Sequence, residues 1–494
     1  MPVSAAEQMP QAPMSEVYGY EPGSPEAMFA DAYEVLGLQS YVYFRGDAGL
    51  RKNQKAHFLD GTIENPVMDY PALNAAALDD HENRLTDLMR IVPDIEGGEA
   101  IQTAYWGAAG YRLAEVYFLR EALRLNTETD PAKKQQSAER FMQMNRELYG
   151  ELDKGLFDSA VAEVWRQIDQ KELGEDERGQ QVKQELEQML FRPQDAAPLI
   201  EATPEERQFY NQAYHEEFAD VEELVMRHWE EIQGRCLIDG TEPQFTAEDM
   251  YELMVEYNRL TGADTRGITV EMIDGSSLDF EPTIPGYQVG RDHKPIKSPL
   301  KMFARLVHEG KWHGQGFDSG MQSGLVVAGT GQYGYIWFEE SAASRAEMFI
   351  EDEPDQYDYT NLGHYIHAGL AEGADGQPPR TMREVFEIAW RYRLLMSLKD
   401  GERIDDKKYD SMRSTTYDRV LNRIFAGTPA NMPGVAFHKN LAYLGGGVDS
   451  LAWYKAHVGD RQAFREAFAS KSNLNNQDHL AAVEANRLRR AAQA

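Results

Sequence analysis

The stretch His308-Glu309-Gly310-Lys311-Trp312-His313 sets two imidazoles five residues apart, with a carboxylate beside the first. Zinc peptidases of the His-Glu-x-x-His kind keep their two imidazoles one turn apart on one helix face. On an ideal α-helix five residues sweep about 500°, which leaves the second imidazole roughly 140° from the first. One metal reaches both only where the turn is widened. A π-bulge widens it, and such bulges favour functional sites. Gly310, inside the turn, would ease the distortion. Given 12 His and 82 acids in 494 residues, chance supplies the pattern at most about 0.05 times per chain. The competing reading is an ordinary helix with one solvated and one satisfied histidine.

A second element, Ile336-Trp337-Phe338-Glu339-Glu340-Ser341-Ala342-Ala343, puts Glu339 twenty-six residues after His313. A catalytic zinc wants three protein ligands and one open position, and two His with one Glu is a standard set. A helix packed through Ser341, Ala342 and Ala343 would bring one carboxylate to the metal. Chemistry alone does not choose between Glu339 and Glu340, and an exposed Glu pair at a helix start is the plainer reading. Glu309 is the candidate general base.

The elements that must hold these groups are mostly helical. Ser298-Pro299 opens a helix whose apolar face is Leu300, Phe303, Leu306 and Val307. Residues 97–233 carry apolar residues at helical spacing. Thr203-Pro204-Glu205-Glu206 is a helix start with a cap, a proline and acids at the positive end of the dipole. Residues 267–273 and 278–280, joined by Asp274-Gly275-Ser276-Ser277, predict a β-hairpin or small antiparallel sheet, with 287–290 a further short strand. Gly329-Thr-Gly-Gln-Tyr-Gly334 reads as a flexible connector beside the site, and Gly445-Gly446-Gly447 as a loop. The expected organisation is a loose tail over 1–25, a helical region over 26–235 walling one side of a cleft, and a catalytic region over 236–494.

Composition excludes several classes. The net charge of −32 repels phosphate backbones and anionic lipids, which argues against nucleic-acid or membrane partners. Cys236 is the single cysteine, so neither an internal disulfide nor a cysteine-rich zinc site is possible. The first residues lack a basic head and an apolar run, and no stretch reads as a membrane span; a cytoplasmic protein is expected.

The chain resembles the tyrosine carboxypeptidase family related to the microtubule-associated tyrosine carboxypeptidases, whose bacterial members are called flavohemoglobin expression-modulating QEGLA-motif proteins. The resemblance lies in the His-Glu-x-x-x-His motif and in blocks placed around it in the family's order. Val289-Gly290-Arg291-Asp292, Ile296-Lys297-Ser298-Pro299 and Leu306-Val307-His308-Glu309 are similar to the approach to the metal helix. Arg423-Ile-Phe-Ala-Gly-Thr428, Pro433-Gly434-Val435 and Lys439-Asn-Leu-Ala-Tyr-Leu444 are similar to its C-terminal signature, and Glu147-Leu148-Tyr149-Gly150 to a short earlier block. The similarity covers about residues 250–446. It implies a zincin-like, predominantly helical α+β fold with a small antiparallel sheet beside the metal helix. It implies Zn²⁺ held by His308, His313 and Glu340, with Glu309 as base, and removal of a C-terminal residue, an aromatic one in the family, from a peptide or protein. Ser341 and Ala342 stand where the family has Gly-Leu, Trp312 replaces a small residue, and Gly314-Gln315 replaces a run that often ends in Arg. No ligand position is lost; the departures bear on substrate preference.

Arg291, Arg423, Lys439 and Tyr443 are candidates for binding a terminal carboxylate or an oxyanion, since Arg forks match carboxylates and Lys or Tyr donates to developing charge. Ordinary surface pairing is their alternative. His364-Tyr-Ile-His367 is a second close histidine pair, without an obvious third ligand and better read as a loop or helix surface. The rival class of function is a non-catalytic helical interaction protein that keeps the fold; retention of Glu309 argues against it, because a structural zinc needs no base.

Overall fold

The longest helix, Glu99–Thr127, buries Tyr105, Val116, Phe118, Leu119 and Leu125. Apolar around most of its girth, it belongs in the interior, and Ala75–Ile91 and Pro131–Tyr149 pack against it. Asp130 caps the latter by accepting from the backbone N–H of Ala132 and Lys133, with Pro131 at the first position. The helix start expected at Thr203 is present, with Thr203 and Glu206 forming a reciprocal capping box. The computed structural model describes residues 12–174, 176–281, 283–352, 359–399 and 401–493. It is predominantly helical with one small sheet. Among the described residues no helix is long and apolar enough to cross a membrane.

The sheet differs from the expected antiparallel one. Its strands are β1 (Thr269–Ile273), β2 (Leu278–Glu281) and β3 (Gly286–Gly290), in the order β1-β3-β2. β3 runs parallel to β1, with Thr269 opposite Gly286, and antiparallel to β2, with Leu278 opposite Val289. Thus β1 and β2 do not pair as a hairpin. Burial gives the reason: Tyr287 and Val289 of β3 are buried, whereas every residue of β1 is partly or wholly exposed. The most buried strand takes the centre, and β1 and β2 become the edges.

Two apolar clusters make the core. One runs from Met14 through Phe118, Leu306, Val307, Trp312 and Phe338 to Ala482. The other includes Phe58, Trp165, Tyr365, Tyr392, Leu421, Ile424 and Leu441. Both draw on residues before and after 235. Helix Tyr335–Ile350 joins them, since Phe338 belongs to the first and Trp337 packs on the second.

Three local expectations are corrected. Residues 12–25 are not loose: Met14 is buried, the Tyr18 hydroxyl donates to Asp318 Oδ1 at 2.9 Å, and the Tyr20 hydroxyl to the Met321 carbonyl at 2.6 Å. Residues 1–11 lie outside the described ones. The Gly329–Gly334 stretch is no flexible connector, because Gly329 and Thr330 belong to helix Val326–Thr330, Gly331 closes it, and Gln332 is buried with its amide on Ser472 at 2.7 Å. Nor is Gly445-Gly446-Gly447 a loop: it opens helix Gly445–Ala456, packed so tightly on Tyr335–Ile350 that a Cβ at Gly446 would sit 1.9 Å from the Trp337 carbonyl oxygen.

Candidate metal centre

The Ser298 hydroxyl accepts from Lys301 N at 3.3 Å and starts helix Pro299–Leu306. From Val307 to Gln315 the helix widens to π geometry, then returns to α over Gly316–Gln322. In a π-turn the bond runs from i to i+5, so residues five apart stand over one another. His308 and His313 do so, with ring centroids 5.2 Å apart. The widened turn that their spacing demands is therefore present. Gly310 serves it by close approach: a Cβ there would lie 2.7 Å from the buried Tyr257 ring.

Each imidazole has a carboxylate at its back. His308 Nδ1 lies 2.6 Å from Glu347 Oε1, a short contact that is not a linear hydrogen bond. His313 Nδ1 lies 3.2 Å from Glu339 Oε1. Carboxylates placed behind metal-binding histidines fix the tautomer and leave Nε2 as the ligand atom. One ligand atom each from His308, Glu309 and His313 falls within 4.8 Å of the others. That is the single group of three His, Cys, Asp or Glu so close among the described residues.

Glu309 is 6% exposed. Its Oε2 accepts from Phe280 N on the open edge of β2 at 3.3 Å, and its Oε1 lies 3.5 Å from Arg305 Nη1. Burial pushes its carboxyl up to about 7 against the pull of His308 and Arg305. A carboxyl in that range is suited to taking and returning a proton near neutrality.

The adjacent glutamates of helix Tyr335–Ile350 point to different partners. Glu339 Oε1 meets buried Lys471 Nζ at 2.7 Å as well as His313, so Glu339 supports a histidine. Glu340 Oε1 accepts from buried Lys439 Nζ at 3.1 Å, and the Tyr443 hydroxyl also bonds to its carboxylate. Burial would raise the Glu340 pKa, but Lys439 and then His313 hold it well below the usual carboxylate range. Glu340 lies outside the compact group of His308, Glu309 and His313. Its carboxylate nonetheless feels both imidazoles.

These groups line one cavity of about 900 Å³. Lys439, Arg423 and Tyr443 are on its wall, as expected, but Lys439 and Tyr443 grip Glu340 and do not stand free for a substrate. Arg291 is not brought there: its side chain is 59% exposed and lies 3.8 Å from Asp274. His364 and His367 are buried on helix Tyr359–Glu372 and are not surface residues. His367 Nε2 meets the Tyr392 hydroxyl at 2.6 Å, while His364 lines the cavity. Three residues at the site went unforeseen. Arg305 lies four before Glu309, and Glu347 lies seven after Glu340, spacings that a helix converts into proximity. Lys471 gave no local signal. No family model, curated protein or solved structure matches the chain.

Proposed function

We propose that the chain is a metal-dependent peptidase of the His-Glu-x-x-x-His kind, zincin-like in its metal helix, acting as a carboxypeptidase on a peptide or protein C-terminus. The observation that carries this reading is the pair of imidazoles set edge to face, each backed by a carboxylate, with buried Glu309 beside them on a 900 Å³ cavity. Imidazole and carboxylate donors suit Zn²⁺. His308 and His313 would hold it through Nε2, and Glu340 would complete the set with the carboxylate that Lys439 and Tyr443 steady. Bound there, the ion supplies Lewis acidity, bringing the pKa of water toward about 7 and polarising a carbonyl. Glu309 accepts the proton of the attacking water and delivers it to the leaving amine. Phe280 N and Arg305 keep its carboxylate aimed meanwhile. Arg423, on the same wall, would read the substrate's terminal carboxylate.

C-terminal peptide libraries, followed by mass spectrometry with added zinc and then with chelator, test the proposal. Loss of single C-terminal residues that stops with chelator is the expected outcome. Equal cleavage of free and amidated C-termini would instead make the protein an endopeptidase, and absence of any chelator-sensitive cleavage would favour the interaction-protein reading.

A further inference from the structure

The 3₁₀ turn Lys439–Tyr443 begins with the lysine that holds Glu340. Lysine bears its charge on a flexible four-carbon stem, so the place of its backbone decides whether Nζ stays on that carboxylate. His438 sets the backbone, because its carbonyl accepts from Leu441 N at 2.8 Å and opens the turn. Its own side chain is wholly buried and lies off the cavity wall. Nδ1 faces the Gly150 carbonyl at 2.9 Å, a group that only accepts, so Nδ1 donates. Nε2 pairs with Glu372 Oε1, at the end of helix Tyr359–Glu372. Burial raises the Glu372 carboxyl, but His438 and then Arg146 hold it below the usual carboxylate range.

The main chain of this segment is tied as well. Asn145, buried on helix Pro131–Tyr149, accepts from His438 N at 3.0 Å and donates to the Ala436 carbonyl at 2.8 Å. Gly150 caps that helix with φ at 87°, and a Cβ there would lie 3.2 Å from the Trp337 ring, on the helix that carries Glu339 and Glu340. Residues 145–150 thus hold the Lys439 segment and abut the glutamate helix, without lining the cavity. With its N–H, its carbonyl and both ring nitrogens engaged, His438 leaves the lysine one place to start from.

We propose that His438 is a positioning residue of the metal centre: held by Asn145, Gly150 and Glu372, it sets the Lys439 cation on Glu340 and so keeps that carboxylate in place for metal binding. This rests on the place given to Glu340 in the metal set under the peptidase reading. It makes the N-terminal helical region, through residues 145–150, a determinant of metal affinity.

The test measures the zinc affinity of the full-length protein by competition with a chelating indicator, in a cycle of His438→Ala and Lys439→Met. Contacts that orient a metal ligand are worth about 10–100-fold in affinity, so Lys439→Met should loosen zinc by that factor and His438→Ala by roughly tenfold or more. Added to Lys439→Met, His438→Ala should cost less than about threefold further, because both act on Glu340 through one lysine. A loss of the same size in both backgrounds would make His438 a purely structural residue and overturn the proposal, as would unchanged zinc affinity in His438→Ala. Should His438→Ala fail to fold, Glu372→Gln takes its place in the cycle. The amide keeps an oxygen for Nε2 and loses only the charge, so a smaller loss is expected, again absent beside Lys439→Met. If Glu340→Ala retains full zinc affinity, the metal assignment fails and the positioning role fails with it. If the cycle holds but no peptide is cleaved, the peptidase reading fails while the positioning role stands.

Discussion

Lys471→Met isolates the support behind His313. Lys471 is 3% exposed, and its Nζ lies 2.7 Å from the Glu339 oxygen that also faces His313. The lysine stem passes the rings of Phe280 and Tyr335, with Nζ 5.8 and 5.4 Å from their centroids, so an unbranched methionine fits the same walls. What it removes is the cation. Glu339 then keeps a buried charge with only an imidazole beside it, and breaking a buried pair in this way costs about 3–5 kcal/mol. Glu339→Gln introduced together with Lys471→Met takes away the stranded charge. The double variant should recover most of the loss, giving a coupling of roughly 2–3 kcal/mol in a double-mutant cycle. Denaturant unfolding of the four proteins measures it, and zinc competition against a chelator measures the functional side, where Glu339→Gln should weaken binding about 10–100-fold. A cost for Lys471→Met below about 1 kcal/mol, or no recovery in the double variant, would refute the reasoning.

Other outcomes follow from the same geometry. Glu309→Gln fills the same space and keeps an oxygen for Phe280 N, so zinc content should be unchanged while peptide turnover falls roughly 10²–10⁴-fold; full turnover would remove Glu309 from the mechanism. Metal analysis should find one zinc per chain, lost in His308→Ala and Glu340→Ala but only loosened in Glu339→Ala, and the reverse ranking of the two glutamates would exchange their roles. Gly310→Ala drives a Cβ against the Tyr257 ring, an overpacking of about 1–3 kcal/mol that should also open the π-turn and lower zinc affinity. His479 is 4% exposed, and burial pushes its pKa down to about 4 from an ordinary 6.5, so the unfolded chain binds its proton first. Its contribution is complete above pH 6.5 and is lost as pH falls toward 4, up to about 3 kcal/mol; His479→Gln should remove that share of acid sensitivity in melts run across this window.

The widened turn was legible because two histidines at a spacing of five leave an α-helix no way to aim both at one point. Helix starts were legible for a similar reason: Ser298-Pro299 and Thr203-Pro204 satisfy local demands that do not depend on the rest of the fold. The sheet order was not, since 267–273 and 278–280 look like neighbours until β3, buried on both faces, claims the centre. The roles of the glutamates were hidden for a deeper reason. Adjacent residues on a helix diverge by about 100°, so Glu339 and Glu340 must meet different surroundings, yet nothing between residues 336 and 343 says which. Two lysines decide it, Lys471 for Glu339 and Lys439 for Glu340, each arriving from a segment about a hundred or more residues away. In a chain with 82 acids and 50 Lys and Arg, every lysine has many carboxylates it could meet, and charge alone selects none. Burial selects, because an ion in the interior must be paired where it lies. The two lysines are thus the consequence of putting two neighbouring carboxylates on the wall of one cavity, and their partners could be assigned only once the helices were packed.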